Sequence, residues 1–175
     1  MPAGKAPFDL GGLLATLARH GVEYVVIGGI AGVAHGSPTV TADLDVCYRR
    51  TRSNMAALAA ALRDLHAELA GAEPGLPFVL DTRTIEMGDR FTFETEAGGF
   101  DCLGTPDGTG GYDDLVRDAV EVEAFGVRFK VVSLDDLIRM KRAAGRPKDR
   151  IELEVLGALR EEIDRARRSG EGEAS

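Results

Sequence analysis

The chain has 175 residues, a net charge of −8, 44% apolar residues and 29% charged residues. That length suits one domain with a real core, and the acidic balance excludes a protein that lives on nucleic acid through overall electrostatics. No apolar run approaches the roughly 20 residues needed to cross a membrane. Lys5 and Asp9 make the first apolar stretch a poor signal peptide, and the two cysteines, Cys47 and Cys102, are too few for a disulfide scaffold. A cytoplasmic protein with buried, reduced thiols is expected.

Leu10, Leu13, Leu14 and Leu17 recur at helical spacing, so residues 8–20 read as a helix that Gly21 ends. Glu23–Ile27 is apolar nearly throughout, as a strand covered on both faces would be. Gly28-Gly29 turns the chain into a short helix over Ile30–His35, which Gly36-Ser37-Pro38 breaks. Leu44–Arg49 reads as the second strand. Thr51 or Ser53 caps a long helix to about Ala70, with a stripe at Leu58, Leu62, Leu65 and Leu69.

Gly71–Pro77 is a loop, and Phe78–Leu80 is a short candidate strand. Arg90–Glu96 alternates as a half-buried strand, and Ala97-Gly98-Gly99 turns it into Phe100–Leu103. Gly104–Gly111 reads as a loop without evident order, followed by a short helix around Asp113–Asp118. Val120–Glu123 and Val127–Val132 form a hairpin about Phe125-Gly126. Ser133 caps the next helix, with Asp136 completing a capping box, and Gly145 stops it. Pro147 opens a last helix carrying Ile151, Val155, Leu156, Leu159 and Ile163. The tail 169–175 is compositionally disordered. This order describes an α/β (α+β) domain built on a mixed β-sheet.

The chemistry concentrates on three aspartates. A strand alternates its side chains, so Asp43 and Asp45 share one face, with Cα atoms roughly 6–7 Å apart, while Leu44, Val46 and Tyr48 share the other. Carboxylates held rigidly at that span suit one or two hard divalent cations. Asp101 lies inside the apolar run Phe100–Leu103, where a carboxylate weakens the strand and risks a buried charge. It is the best third ligand, while Glu94 and Glu96 also fit a plain solvated face. Gly28-Gly29, just upstream, would let a phosphate approach the backbone. Lys141 continues the apolar stripe of Leu134, Leu137 and Ile138. It reads either as a lysine snorkelling at the stripe's edge or as a cation aimed at phosphates. Arg146 and Lys148 flank the following glycine–proline step and could join it. His20, His35 and His66 share no metal-ligand spacing.

The run Gly28-Gly29-Ile30-Ala31, then His35-Gly36, then Thr41-Ala42-Asp43-Leu44-Asp45-Val46, resembles the nucleotidyltransferases of the DNA polymerase β superfamily. Within it, the chain looks most like the AbiEii-like abortive-infection toxins. The segments Leu137–Lys141 and Gly145–Asp149 resemble their C-terminal pattern. The resemblance spans roughly residues 20–160. It implies a nucleotidyltransferase core over residues 1–132, with helices over 133–168 packed on it. It also implies transfer of a nucleoside monophosphate from an NTP to a hydroxyl, with Mg²⁺ as cofactor and two ions during catalysis. By position, Asp43 and Asp45 would hold both metals. Asp101 would hold the catalytic metal and help deprotonate the acceptor. Gly28, Gly29, Thr41, Lys141, Arg146 and Lys148 would bind the nucleotide. The implied acceptor is RNA, a tRNA end among the candidates, and the implied setting is a toxin–antitoxin or phage-defence system with a cognate antitoxin. Relatives commonly carry a basic residue two before the threonine, where this chain has Thr39. A small-molecule nucleotidyltransferase of the antibiotic-modifying type and an inactive nucleotide-binding regulator are the alternatives.

Overall fold

Apolar runs bounded by glycines and capping residues set the order of elements. The computed structural model describes residues 4–73 and 78–172. Helix α1 (Leu10–Arg19) is capped by Asp9, whose carboxylate accepts from the Gly12 N–H. Strand β1 (Tyr24–Ile27) is buried at all four positions and leads directly into α2 (Gly28–Ala34). Strand β2 (Asp43–Tyr48) follows, then α3 (Arg52–Asp64), capped by Thr51 through the Asn54 N–H.

The leucine stripe of α3 does not run on to residue 70. His66 takes a left-handed φ of 50°, which an α-helix cannot continue. Leu69 instead belongs to a two-residue strand, β3 (Glu68–Leu69), which pairs antiparallel with Phe93 and Glu94. Residues 74–77 of the expected loop lie outside the described residues. Phe78–Leu80 forms no strand; a short helix, α4 (Thr82–Met87), follows it. Asp81 caps α4 at the Thr84 N–H, and Ile85 is its buried anchor.

Strands β4 (Arg90–Thr95) and β5 (Gly98–Leu103) form a hairpin, and α5 (Tyr112–Leu115) is a single turn. Strands β6 (Val120–Ala124) and β7 (Val127–Val131) make the second hairpin. Helix α6 (Leu134–Ala144) begins at the Ser133 cap and stops at Gly145, whose φ of 63° suits glycine. Asp136 donates its N–H to Ser133, while its carboxylate pairs with Arg139. Helix α7 (Pro147–Gly172) runs past Ser169, so helix replaces the expected tail up to Gly172; residues 173–175 lie outside the described residues.

The strands form one seven-stranded sheet in the order β3-β4-β5-β2-β1-β7-β6. β1–β7 and β2–β5 are parallel and the remaining neighbours antiparallel, so the sheet is mixed. Helices α1, α3 and α4 form one contacting group, and α2, α6 and α7 another. Leu13, Leu14, Leu17, Leu58 and Leu62 are buried with Val25, Leu44, Val46 and Phe100. Each such leucine contributes about 1.5–3 kcal/mol on leaving water. The core thereby fixes β2 between β1 and β5, and that placement builds the site.

Candidate active site

Register brings the three aspartates to one wall. In β2, Leu44, Val46 and Tyr48 are fully buried, which turns Asp43 and Asp45 to the other face. β2 runs parallel to β5 with Asp45 opposite Asp101 and Asp43 opposite Gly99. Neighbouring strands lie about 4.8 Å apart, so Asp45 and Asp101 are side by side. The Asp101 carboxylate beside it makes ionising Asp45 costly. Burial, then the Asp101 hydrogen bond and charge, then Asp43, push the Asp45 carboxyl up to about 7, while Lys141 pulls it down. Asp43 is more open and faces Lys5, whose Nζ lies 3.6 Å from its Oδ1 and 3.5 Å from Glu94 Oε1.

Glycines make room for these groups. Gly28 has a φ of 65°, and a side chain there would collide with the Asp45 carboxylate. A Cβ on Gly29 would lie 2.8 Å from Thr41 Oγ1, and Thr41 in turn donates to the Asp43 carbonyl at 3.3 Å. A Cβ on Gly99 would collide with the Asp43 carboxylate. Gly28, Gly29, Thr41, Asp43, Asp45 and Asp101 all line one cavity of about 410 Å³. Its far wall comes from α6, α7 and the turn between them and carries Lys141, Arg146 and Lys148. Lys141 is largely covered, with Nζ 3.5 Å from Asp149 and in contact with Glu152. Arg146 Nε donates to Asp149 at 2.8 Å. Burial pushes the Asp149 carboxyl up, but the Arg146 side-chain and backbone donors and the Lys141 charge outweigh it and hold it below the usual range.

No protein-family profile matches the sequence, and no curated protein matches it. Solved structures do. The chain is similar to the lincomycin-bound crystal structure of the lincosamide antibiotic adenylyltransferase LnuA, with a TM-score of 0.57 at 13% identity over 87% of this chain and 99% of that one. It is also similar to the crystal structure of a candidate nucleotidyltransferase from Thermotoga maritima, with a TM-score of 0.51 at 15% identity over 87% of this chain and 89% of that one. The chain has the nucleotidyltransferase fold.

In this nucleotidyltransferase fold the candidate residues meet from both sides of one cleft. Among the described residues, no three acidic, imidazole or thiol groups are already closed around a common point. The side-chain surroundings account for that: Asp45 lies beside Asp101 across the two strands, and Asp43 turns to Lys5. The donor set nevertheless fits a hard cation, because two carboxylates forced together raise a proton affinity that a divalent ion would relieve. No helix among the described residues is long and apolar enough to cross a membrane. Both cysteines are buried and free.

The structure adds residues that sequence reasoning passed over. Gly99 looks like part of a turn, yet it is the floor under Asp43. Asp107 lines the cavity from the 104–111 loop and pairs with Arg90 at 2.6 Å. That loop is held in place: the Gly104 N–H donates to the Asp89 carbonyl, and Gly108 packs against Ala143. Glu152 lines the cavity one helical turn beyond Lys148, the i to i+4 spacing that could have pointed to it. His35, already part of the motif read from the sequence, places its Nε2 2.7 Å from the Val132 carbonyl and ties the chain after α2 to the end of β7.

Proposed function

We propose that the protein is a metal-dependent nucleotidyltransferase that moves a nucleoside monophosphate from an NTP to a hydroxyl acceptor. The carrying observation is the pairing of Asp45 with Asp101 across parallel strands, beside Asp43 and opposite a cationic wall in one cavity. Asp43, Asp45 and Asp101 are the residues that would hold Mg²⁺, which when bound supplies charge neutralisation and Lewis-acid polarisation of phosphoryl oxygens. Gly28 and Gly29 leave the backbone open to the phosphates, and Thr41 braces Gly29 and the Asp43 carbonyl. Lys141, Arg146 and Lys148 supply positive charge to the triphosphate. Asp101 orients the acceptor hydroxyl and takes its proton as the hydroxyl oxygen attacks the α-phosphorus, with pyrophosphate as the leaving group.

An RNA acceptor, a tRNA end included, and a toxin role with a cognate antitoxin rest on the sequence resemblance. A specific observation favours a second reading, a small cationic acceptor. Beside Asp43 the sheet carries Glu94, and an ammonium, that of Lys5, already lies between them. LnuA, an adenylyltransferase of a small antibiotic, has a similar fold. The test incubates the protein with Mg²⁺ and each α-labelled NTP, in parallel with total tRNA and with a panel of aminated and neutral hydroxylated antibiotics. Label on an acceptor, lost in Asp45→Asn and Asp101→Asn, supports the reading and identifies the acceptor. No label on any acceptor, with NTP still bound, favours a nucleotide-binding regulator.

A further inference from the structure

Two carboxylates approach the same ammonium, and their surroundings differ. Asp149 and Glu152 both come from the start of α7 and both pair with Lys141. Asp149 is fully buried, at 0% exposure, and takes no part in the cavity lining. It also accepts from the Arg146 backbone N–H at 3.0 Å and from Arg146 Nε at 2.8 Å. Glu152 has a side chain 30% exposed and lines both the large cavity and the narrow space that continues from it against Gly28 and Gly29. Its Oε2, the oxygen that meets Lys141 Nζ, is shielded from water. Asp149 therefore holds Lys141 from behind, and Glu152 holds it from the side where a phosphate would arrive.

Within the ion-paired four the charges cancel, Lys141 and Arg146 against Asp149 and Glu152, while Lys148 lines the cavity outside these pairs. A neutral cluster attracts an anion weakly until one carboxylate leaves. We propose that Glu152 is an internal placeholder for a phosphate on Lys141, and that Asp149 is the positioning residue that keeps Lys141 and Arg146 aimed at the cavity. This rests on the nucleotide reading above. When a triphosphate arrives, Lys141 exchanges the Glu152 carboxylate for phosphate oxygens, and Glu152 turns toward solvent along the open side of the cavity. Only ion pairs change. Asp149 cannot leave in the same way, because four donors hold it and water does not reach it.

The consequence is a difference in sign between two carboxylates that share one lysine. Glu152 lowers apparent affinity by the fraction of time it occupies the ammonium, so removing its charge raises affinity. Removing the charge of Asp149 leaves two cations without their anchor and lowers affinity. The test is calorimetric titration of each of the four NTPs with excess Mg²⁺ into wild type, Glu152→Gln and Asp149→Asn, with melting curves recorded on each. For whichever NTP wild type binds, Glu152→Gln is expected to bind about 3–10-fold tighter, the size of one partly exposed ion pair. Asp149→Asn is expected to bind at least about 10-fold weaker, as after truncating one partner of a buried charge pair. If Asp149→Asn does not fold, the sign of the Glu152→Gln change decides alone. Glu152→Gln binding no tighter than wild type overturns this inference and leaves the nucleotide reading standing. Wild type binding none of the four overturns that reading, and this inference falls with it.

Discussion

Gly28 lies against the carboxylate of Asp45, so close that no side chain fits between them. The contact joins the end of β1 to the face of β2, where Ile27 is the register partner of Asp45. Gly28 also holds a φ of 65°, which L side chains adopt at a cost of about 1–2 kcal/mol. Gly28→Ala therefore suffers twice. It is expected to destabilise the fold by at least about 2 kcal/mol and to abolish NTP binding, checked by urea melts and by titration on the folded fraction. Normal stability with normal binding would show that the Asp45 carboxylate has room to retreat.

Gly99 offers a contrast. Its Cβ would also collide with a carboxylate, that of Asp43, but its φ is not positive and the Asp43 side chain is about half exposed. The carboxylate can swing aside. Gly99→Ala should change the melting temperature little, by under about 1 kcal/mol, while weakening Mn²⁺ binding and transfer at least about 10-fold. A variant that melts far lower yet binds Mn²⁺ as wild type does would reverse the assignment.

The raised proton affinity of Asp45 makes stability depend on pH. In the folded, metal-free protein its carboxyl is pushed up to about 7 from an ordinary value of 3.8. The folded state thus binds the proton more tightly than the unfolded chain, and wild type loses stability as pH rises from about 4 to 7. Asp45→Asn removes that loss. At pH 8 the variant is expected to be more stable than metal-free wild type by about 2–4 kcal/mol, with the gap closing toward pH 4. Adding Mg²⁺ should restore wild type at pH 8 and leave the variant unmoved. A gap that widens on acidification would show that Asp45 is ionised and favourably paired instead.

Lys5 spans Asp43 and Glu94, and those two carboxylates raise its own proton affinity. Its segment is seated by Phe8 packing against Gly98 and by the Asp9 N–H donating to the Ala97 carbonyl at 2.8 Å. The ammonium competes with any cation for Asp43. Lys5→Met is expected to tighten Mn²⁺ binding about 2–5-fold at low salt, with the difference shrinking at high salt as screening weakens the exposed ion pair. Unchanged Mn²⁺ affinity at low salt would mean that the pair does not persist in solution.

The aspartates were legible because each breaks a local rule: Asp43 and Asp45 alternate with core residues, and Asp101 interrupts an apolar strand. Lys141 stood out in the same way, as a cation on an apolar stripe. Asp149 entered only as the last residue of the Gly145–Asp149 pattern, without a role, and Glu152 did not stand out. Helix α7 is crowded with acidic and basic residues, and only its packing on α6 separates a buried carboxylate from a solvated one. Leu69 fitted the α3 stripe by spacing, but the left-handed turn at His66 sends it into β3. Helix α4 was invisible because one buried residue, Ile85, makes no period. The role of Gly99 depends on its partner across β2 and β5, which no local pattern carries.

The account turns on three carboxylates that take up a divalent ion together, beside a bound nucleotide. Mn²⁺ titration followed by electron paramagnetic resonance, with a non-hydrolysable NTP analogue present, tests this most directly. Wild type should bind Mn²⁺ in a nucleotide-dependent way, and Asp45→Asn and Asp101→Asn, both folded, should each lose that binding. Equal Mn²⁺ uptake by wild type and both variants, or none by wild type with the analogue bound, would contradict it.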